Sequence, residues 1–280
     1  MPIISNDPRS MPLALFVSDG SGVSAEAYGE AVLAQMGPEN FRRERAVFCK
    51  TPQMARQAGA LAMAERAQGR KVCVFSTLAM PESRQALKEA FPDAIDLFDI
   101  VLPLACISFQ MESHPRVGAS HGAYDAGARA KRAEAIDYAL SRDDGARADY
   151  ADAEIILVGV SRSGKTPCCM WLAMHYGLRA ANYPLTEEDL SPGRWPLALR
   201  GLESICAGLT LSSQRLSEIR QARLRGSRYA SERVCAEEVA AAATLMRLHG
   251  VPSVDTTGQG VEEICAALIS AKDLHPLLSF

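Results

Sequence analysis

Several common constellations are missing from this chain. Its eight cysteines form no C-x-x-C pair, and none stands with the five histidines at metal-ligand spacing. Structural zinc is thereby excluded as an expectation, and scattered reduced thiols in a cytosolic protein are favoured. There is no basic excess either: the formal charge is −3 and the isoelectric point about 6.0, which argues against a general nucleic-acid binder. No apolar stretch reaches the roughly 18 residues needed to span a membrane. The first residues lack the basic-then-apolar layout of a secretion signal, so the expected location is the cytoplasm. Internal repeats and low-complexity tracts are absent as well. What remains is a globular composition, with 48% hydrophobic residues in a chain of 280, long enough for two ordinary domains.

Strand-like and helix-like segments alternate along that length. Apolar runs at 13–17, 46–49, 72–76 and 95–101 read as strands, with helical patterns at 24–36, 52–68 and 82–90 between them. The pattern dissolves around 114–127, resumes as a helix at 128–140 and passes through a connector at 141–150. A second alternation follows: strands at 154–158, 179–183, 206–211 and 252–255, and helices at 165–176, 213–224, 231–249 and 260–271. This order predicts parallel sheets covered by helices. The fold class expected is α/β, with an N-terminal parallel-sheet domain over 1–145 and a P-loop kinase-like α/β domain over 146–280.

Eight consecutive residues, Gly159-Val160-Ser161-Arg162-Ser163-Gly164-Lys165-Thr166, satisfy every position of G-x-x-x-x-G-K-[ST]. The preceding apolar strand and the following helix, which stops at Gly177, supply the context the motif needs. Two glycines let successive N–H groups converge on phosphate oxygens at a helix N-terminus. Lys165 adds a mobile positive charge, Thr166 can place its hydroxyl on a magnesium ion, and Ser161, Arg162 and Ser163 present further donors. The bland alternative is a Gly/Ser surface turn carrying an ordinary lysine.

Other candidates carry two readings each. Asp143 and Asp144, followed by Gly145, offer paired carboxylates as proton acceptor or magnesium support, or else form a solvated acidic turn. Asp19 sits in a glycine turn just past a strand, where α/β proteins place ligand contacts. His121 in an irregular segment is a candidate phosphate contact or an ordinary loop histidine. Asp255, after a short strand, is a candidate magnesium-orienting carboxylate. Arginines at 215, 220, 223, 225, 228 and 233 make a local positive excess, suited to phosphate or an acidic partner, or simply a solvated helix face.

Taken together, Ser18-Asp19-Gly20-Ser21-Gly22, Glu134-Ala135-Ile136-Asp137-Tyr138 leading to Asp143-Asp144-Gly145, the loop at 157–167, Ala180-Ala181-Asn182-Tyr183-Pro184, Gly208-Leu209-Thr210-Leu211 and Ser227-Arg228-Tyr229-Ala230 resemble, in order and spacing, the phosphoenolpyruvate synthase regulatory proteins of bacteria. These belong to the wider family that includes regulators of pyruvate, phosphate dikinase. The resemblance runs over nearly the full length. It implies a bifunctional enzyme: an ADP-dependent serine/threonine protein kinase that inactivates phosphoenolpyruvate synthase, and a phosphorylase in which inorganic phosphate removes the phosphoryl group as pyrophosphate. Lys165 and Asp143 or Asp144 would then be catalytic, 159–166 would hold ADP with magnesium, and Arg220 and Arg228 would hold phosphate. One departure is plain: Arg142 precedes Asp143 where relatives often carry histidine. The rival expectations are a P-loop kinase of small molecules and a non-catalytic ADP-sensing adaptor. A homodimer is compatible with the resemblance, and no residue pattern requires it.

Overall fold

Strand β1 (Leu13–Ser18) is buried at every one of its six positions. Its alternate side chains therefore feed two separate cores. Leu13, Leu15 and Val17 pack with Ala55, Ala58, Ala62 and Leu87, while Ala14 and Phe16 pack with Ala25, Leu33 and Phe75. The computed structural model describes residues 11–119, 126–143, 149–190 and 194–274. Within them the chain divides into two compact units, Met1–Ala123 and Tyr124–Phe280.

In the first unit, β1 is flanked by β2 (Arg42–Ala46) and β3 (Val72–Thr77), and β4 (Ile95–Asp96) lies outside β3. All pairings are parallel. Helices α1 (Val23–Ala34), α2 (Pro52–Ala67) and α3 (Pro81–Ala90) connect successive strands. Thr51 caps α2 by accepting from the Met54 N–H, and Pro52 occupies the first turn, where no intrahelical bond is lost. Helix α4 (Leu97–Phe109) follows β4.

Two segments differ from the sequence expectation. The strand expected at 46–49 lies instead at Arg42–Ala46, because an edge strand needs no continuous apolar run; Phe48, at φ 57° and 53% exposed, belongs to the turn beyond it. The strand expected at 95–101 stops after two residues. Asp96 accepts from the N–H groups of Phe98 and Asp99 and so caps a helix. Helix α4 escapes a periodicity search because it is apolar all round and carries Pro103, yet Ile100, Leu104, Ile107 and Phe109 are all exposed.

The second unit repeats this plan. Strand β5 (Ile155–Val160) is fully buried and stands between β6 (Ala180–Leu185) and β7 (Cys206–Thr210), with β8 (Ser253–Asp255) outside β7. The pairings are again parallel. Ile155 and Leu157 face α5 (Ala126–Ser141), α6 (Lys165–Tyr176) and α9 (Val261–Ala271). Ile156, Val158 and Val160 face α7 (Ser213–Arg223) and α8 (Glu232–Leu248). Helix α5 belongs to this unit, since its Ala135 and Ala139 are buried against Cys168, Cys169 and Leu172. The division therefore falls after Ala123, earlier than the boundary expected at 145.

In each sheet the chain leaves the central strand to one side, returns, and builds the next strand on the other side. Each sheet thus has a topological switch point beyond the C-terminal end of its central strand, where open α/β sheets place ligands. The close approach of α2 to α3 offers a stability test. A Cβ on Gly59 would lie 2.7 Å from the Ala90 Cβ and 3.0 Å from the Leu87 carbonyl oxygen. Gly59→Val is expected to cost about 1–3 kcal/mol, read as a lower urea midpoint for the full chain; an unchanged midpoint would show that the two helices part freely.

Candidate active site

The loop after β5 occupies the second unit's switch point. Gly164 adopts φ 96° and ψ 7°, left-handed geometry that a side chain would strain, and no side chain caps the helix that starts at Lys165. The first N–H groups of α6 are therefore available to an anion, and the helix dipole adds to them. Arg162 also sits at positive φ, 76°, completing the curl of the loop. Gly159 is required for another reason: a Cβ there would meet the Leu209 carbonyl oxygen at 2.6 Å and the Ser163 Oγ at 2.7 Å. The first glycine lets β7 and the loop close on β5, and the second sets the entry into α6.

Lys165 is 5% exposed and its Nζ donates to the Val160 carbonyl at 2.8 Å. Its ammonium is thereby held over the concave side of its own loop. The next residue joins a polar junction. Thr166 Oγ1 donates to Asp143 Oδ1 at 2.7 Å, and Asn182 Nδ2 donates to the same oxygen at 2.7 Å and to Thr166 Oγ1 at 3.1 Å. Asp143, at the end of α5, is thus brought onto the hydroxyl that the motif assigns to magnesium.

Two buried atoms at this place have no hydrogen-bond partner among the described residues: Asn182 Oδ1 and Ser163 Oγ. Buried polar atoms are costly to leave unpaired, so both mark a site fitted to a ligand. The donor set, hydroxyl, carboxylate and amide oxygen, is that of a hard cation such as magnesium. The residues present therefore fit a magnesium nucleotide. Cys169 does not compete as a nucleophile, because burial, with Cys168 and Asp143 adding to it, pushes its thiol well above the ordinary range.

Arg220 supports the loop and also lines the cavity beside it. Its side chain is wholly buried, donating to the Ser161 carbonyl at 3.1 Å, the Tyr229 carbonyl at 3.0 Å and Glu238 at 2.6 Å. Its guanidinium also lies over the Tyr229 ring at 3.9 Å. Burial works against the charge, but the hydrogen bond and charge of Glu238 prevail and hold its pKa above the ordinary value. Tyr229 adds a second tie, donating from its hydroxyl to Ser161 Oγ at 2.9 Å. Both side chains position the loop from behind.

Arg162, Arg220, Arg223, Leu224 and Tyr229 line a cavity of about 520 Å³ beside the loop. It is large enough for part of a nucleotide. Arg228 is exposed and borders a neighbouring cavity of about 440 Å³ with Glu187, Glu237 and Glu238. Asp255 is turned to a local task, its Oδ1 accepting from the Thr257 N–H at 2.8 Å; Thr256 reaches the Ser163 carbonyl instead, at 3.4 Å. Arg142 is used structurally, with Nε on the Asp149 carbonyl at 2.6 Å and its guanidinium over Tyr138. Asp19 belongs to the first unit. Asp144 and His121 lie outside the described residues.

The kinase/pyrophosphorylase family matches residues 15–269. The chain belongs to that family. Among similar proteins, one from Xanthomonas campestris is 41% identical over 93% of this chain and 96% of its own length, and bears the name "Putative phosphoenolpyruvate synthase regulatory protein". Relatives with the same name from Xylella fastidiosa, 40% identical over 91% of this chain and 93% of their own, and Stenotrophomonas maltophilia, 39% identical over 93% and 96%, agree with it. Family membership is thus shown over both units.

Asn182 and Tyr229 stood within stretches that carry the family resemblance but were given no role, and Glu238 and Thr256 had no sequence signal. A test of the clamp separates support from stability. Arg220→Met leaves Glu238 unpaired and is expected to cost about 3–5 kcal/mol. Adding Glu238→Leu is expected to recover much of that loss in a urea titration, while nucleotide affinity stays reduced because the Ser161 carbonyl still lacks its donor. Full recovery of affinity in the double variant would refute the positioning role.

Proposed function

We propose that the chain transfers the β-phosphoryl group of ADP to a threonine of phosphoenolpyruvate synthase, and in the other direction uses inorganic phosphate to remove it as pyrophosphate. The single observation that carries this reading is the junction of Thr166, Asp143 and Asn182 on the phosphate loop. It puts a carboxylate on the hydroxyl that follows the loop lysine, which supports a proton acceptor near the end of a polyphosphate held by the loop.

In the forward direction the threonine oxygen attacks the β-phosphorus, the bond to the bridging oxygen breaks, and AMP leaves. Asp143 accepts the hydroxyl proton. The loop N–H groups and Lys165 stabilise charge gathering on the transferred group. Thr166 and the Asn182 oxygen would hold magnesium, which would supply further neutralisation of phosphate charge. In the return direction an oxygen of inorganic phosphate attacks the phosphothreonine phosphorus. The bond to the threonine oxygen breaks, pyrophosphate leaves, and the proton of the attacking phosphate passes through Asp143 to the threonine. Both directions are in-line substitutions at one phosphorus position, so one loop serves both.

The family and the relatives' names support the regulatory reading, and the loop geometry supports the nucleotide. Lys165→Ala is expected to lower transfer of β-labelled ADP phosphate to phosphoenolpyruvate synthase by about 10³-fold or more. Asp143→Asn keeps the hydrogen bonds to Thr166 through its amide oxygen but removes the proton acceptor. It is expected to bind ADP nearly as the wild type does while transferring about 10²-fold or more slowly. Label arriving from ATP but not ADP, or full activity in either variant, would overturn the proposal.

A further inference from the structure

Helix α4 is apolar on the side that faces solvent as well as on the side that faces its own unit. Its inner positions, Phe98, Leu102, Ala105 and Cys106, are half-buried, and the helix lies against β3. A surface helix ordinarily carries its charges on the opposite side. Here that side bears Ile100, Val101, Leu104 and Ile107. The spacing of Ile100, Leu104 and Ile107 sets them in one stripe along the helix, and they are 55%, 63% and 74% exposed. Phe109 and Met111, both exposed, continue the apolar surface at the end of the helix.

No charged residue occurs from Ile100 to Met111. The one carboxylate within the helix, Asp99, stands at its start and is held by Arg84 at 2.7 Å and Lys88 at 2.6 Å. Six exposed side chains of this size present roughly 600–700 Å² of apolar surface, more than the few hundred Å² a monomer commonly leaves in water.

Area, charge and shape agree on one occupant, a second copy of this chain. Two such faces laid together bury roughly 1,200–1,400 Å², within the range of a stable specific interface. A target that is taken up and released meets its regulator through a surface about as polar as the rest of the protein, whereas homodimer interfaces are more apolar. A stripe without charge has no pattern by which to select an unlike partner, yet it complements itself. With the two helices antiparallel about a two-fold axis, Leu104, in the middle of the stripe, meets its own copy, and Ile100 meets Ile107 of the second copy.

We propose that the exposed face of α4 is the interface through which two copies of this chain form a symmetric dimer. The dimer is independent of the transfer reaction proposed above, and its test reads mass alone. Sedimentation of the full chain at micromolar concentration is expected to give twice the chain mass of 30.2 kDa. Leu104→Glu sets like charges against each other across the axis and is expected to weaken association at least about 100-fold, leaving a monomer. Because Leu104 is exposed on the single chain, the far-ultraviolet circular dichroism of the variant should be unchanged. Leu104→Lys is likewise expected to be monomeric, and an equimolar mixture of the two variants to recover the dimer mass, which misfolded chains would not do. A monomeric wild-type chain, a dimer that survives Leu104→Glu, or a mixture that stays monomeric would overturn the proposal. A monomeric wild type whose Leu104→Glu variant loses binding to phosphoenolpyruvate synthase would also overturn it, by assigning the face to that enzyme.

Discussion

The phosphate loop depends on one buried guanidinium. A loop that offers its N–H groups to a ligand cannot also spend them on itself, so it must be held by its carbonyls and from outside. Arg220 does this by donating to the Ser161 carbonyl, and Glu238 and the Tyr229 carbonyl take further bonds from its Nη groups and keep it charged in a buried place. Tyr229 doubles the attachment through the Ser161 side chain. From the inner side, Lys165 ties itself to Val160. The loop is therefore held in one shape by its surroundings, which would lower the ordering cost of the binding proposed above.

A second constraint is how the carboxylate reaches the loop. Asp143 comes from the end of α5, and α5 is fixed because Ala135 and Ala139 are buried against α6. The helix that carries Thr166 thus also sets the distance to Asp143. Asn182, on the neighbouring strand, completes the junction and fixes which carboxylate oxygen faces the hydroxyl. On the function proposed above, nucleotide grip and proton transfer would be coupled through this one set of packing contacts.

Much of this was legible in the sequence for physical reasons. Buried parallel strands read as continuous branched runs, so β1, β3 and β5 stand out, and the glycine spacing of the loop admits few other meanings. Edge strands and apolar helices do not announce themselves. Strand β2, at the sheet edge, carries four consecutive charged residues, Arg42 to Arg45, and so offers no apolar run, and α4 lacks a polar face to give it a period. The site was legible where a motif specifies local backbone, at 159–166, and only in part where long-range packing decides. Asp143 was named from its turn, but its contact with Thr166 is a product of the fold. Arg220 was named for its charge, and its hold on the Ser161 carbonyl is a product of long-range packing. The common strand order of the two units was invisible to sequence comparison within the chain, since topology and cap geometry repeat where side chains do not.

Hydrogen exchange at single-peptide resolution, with and without magnesium ADP, tests the central claim most directly. Ligand N–H contacts should slow exchange across Ser161–Thr166 and the first turn of α6, with the 220–230 segment following because it is tied to Ser161. Protection elsewhere, with this loop unchanged, would mean that the nucleotide binds at another place and that the loop is only a turn.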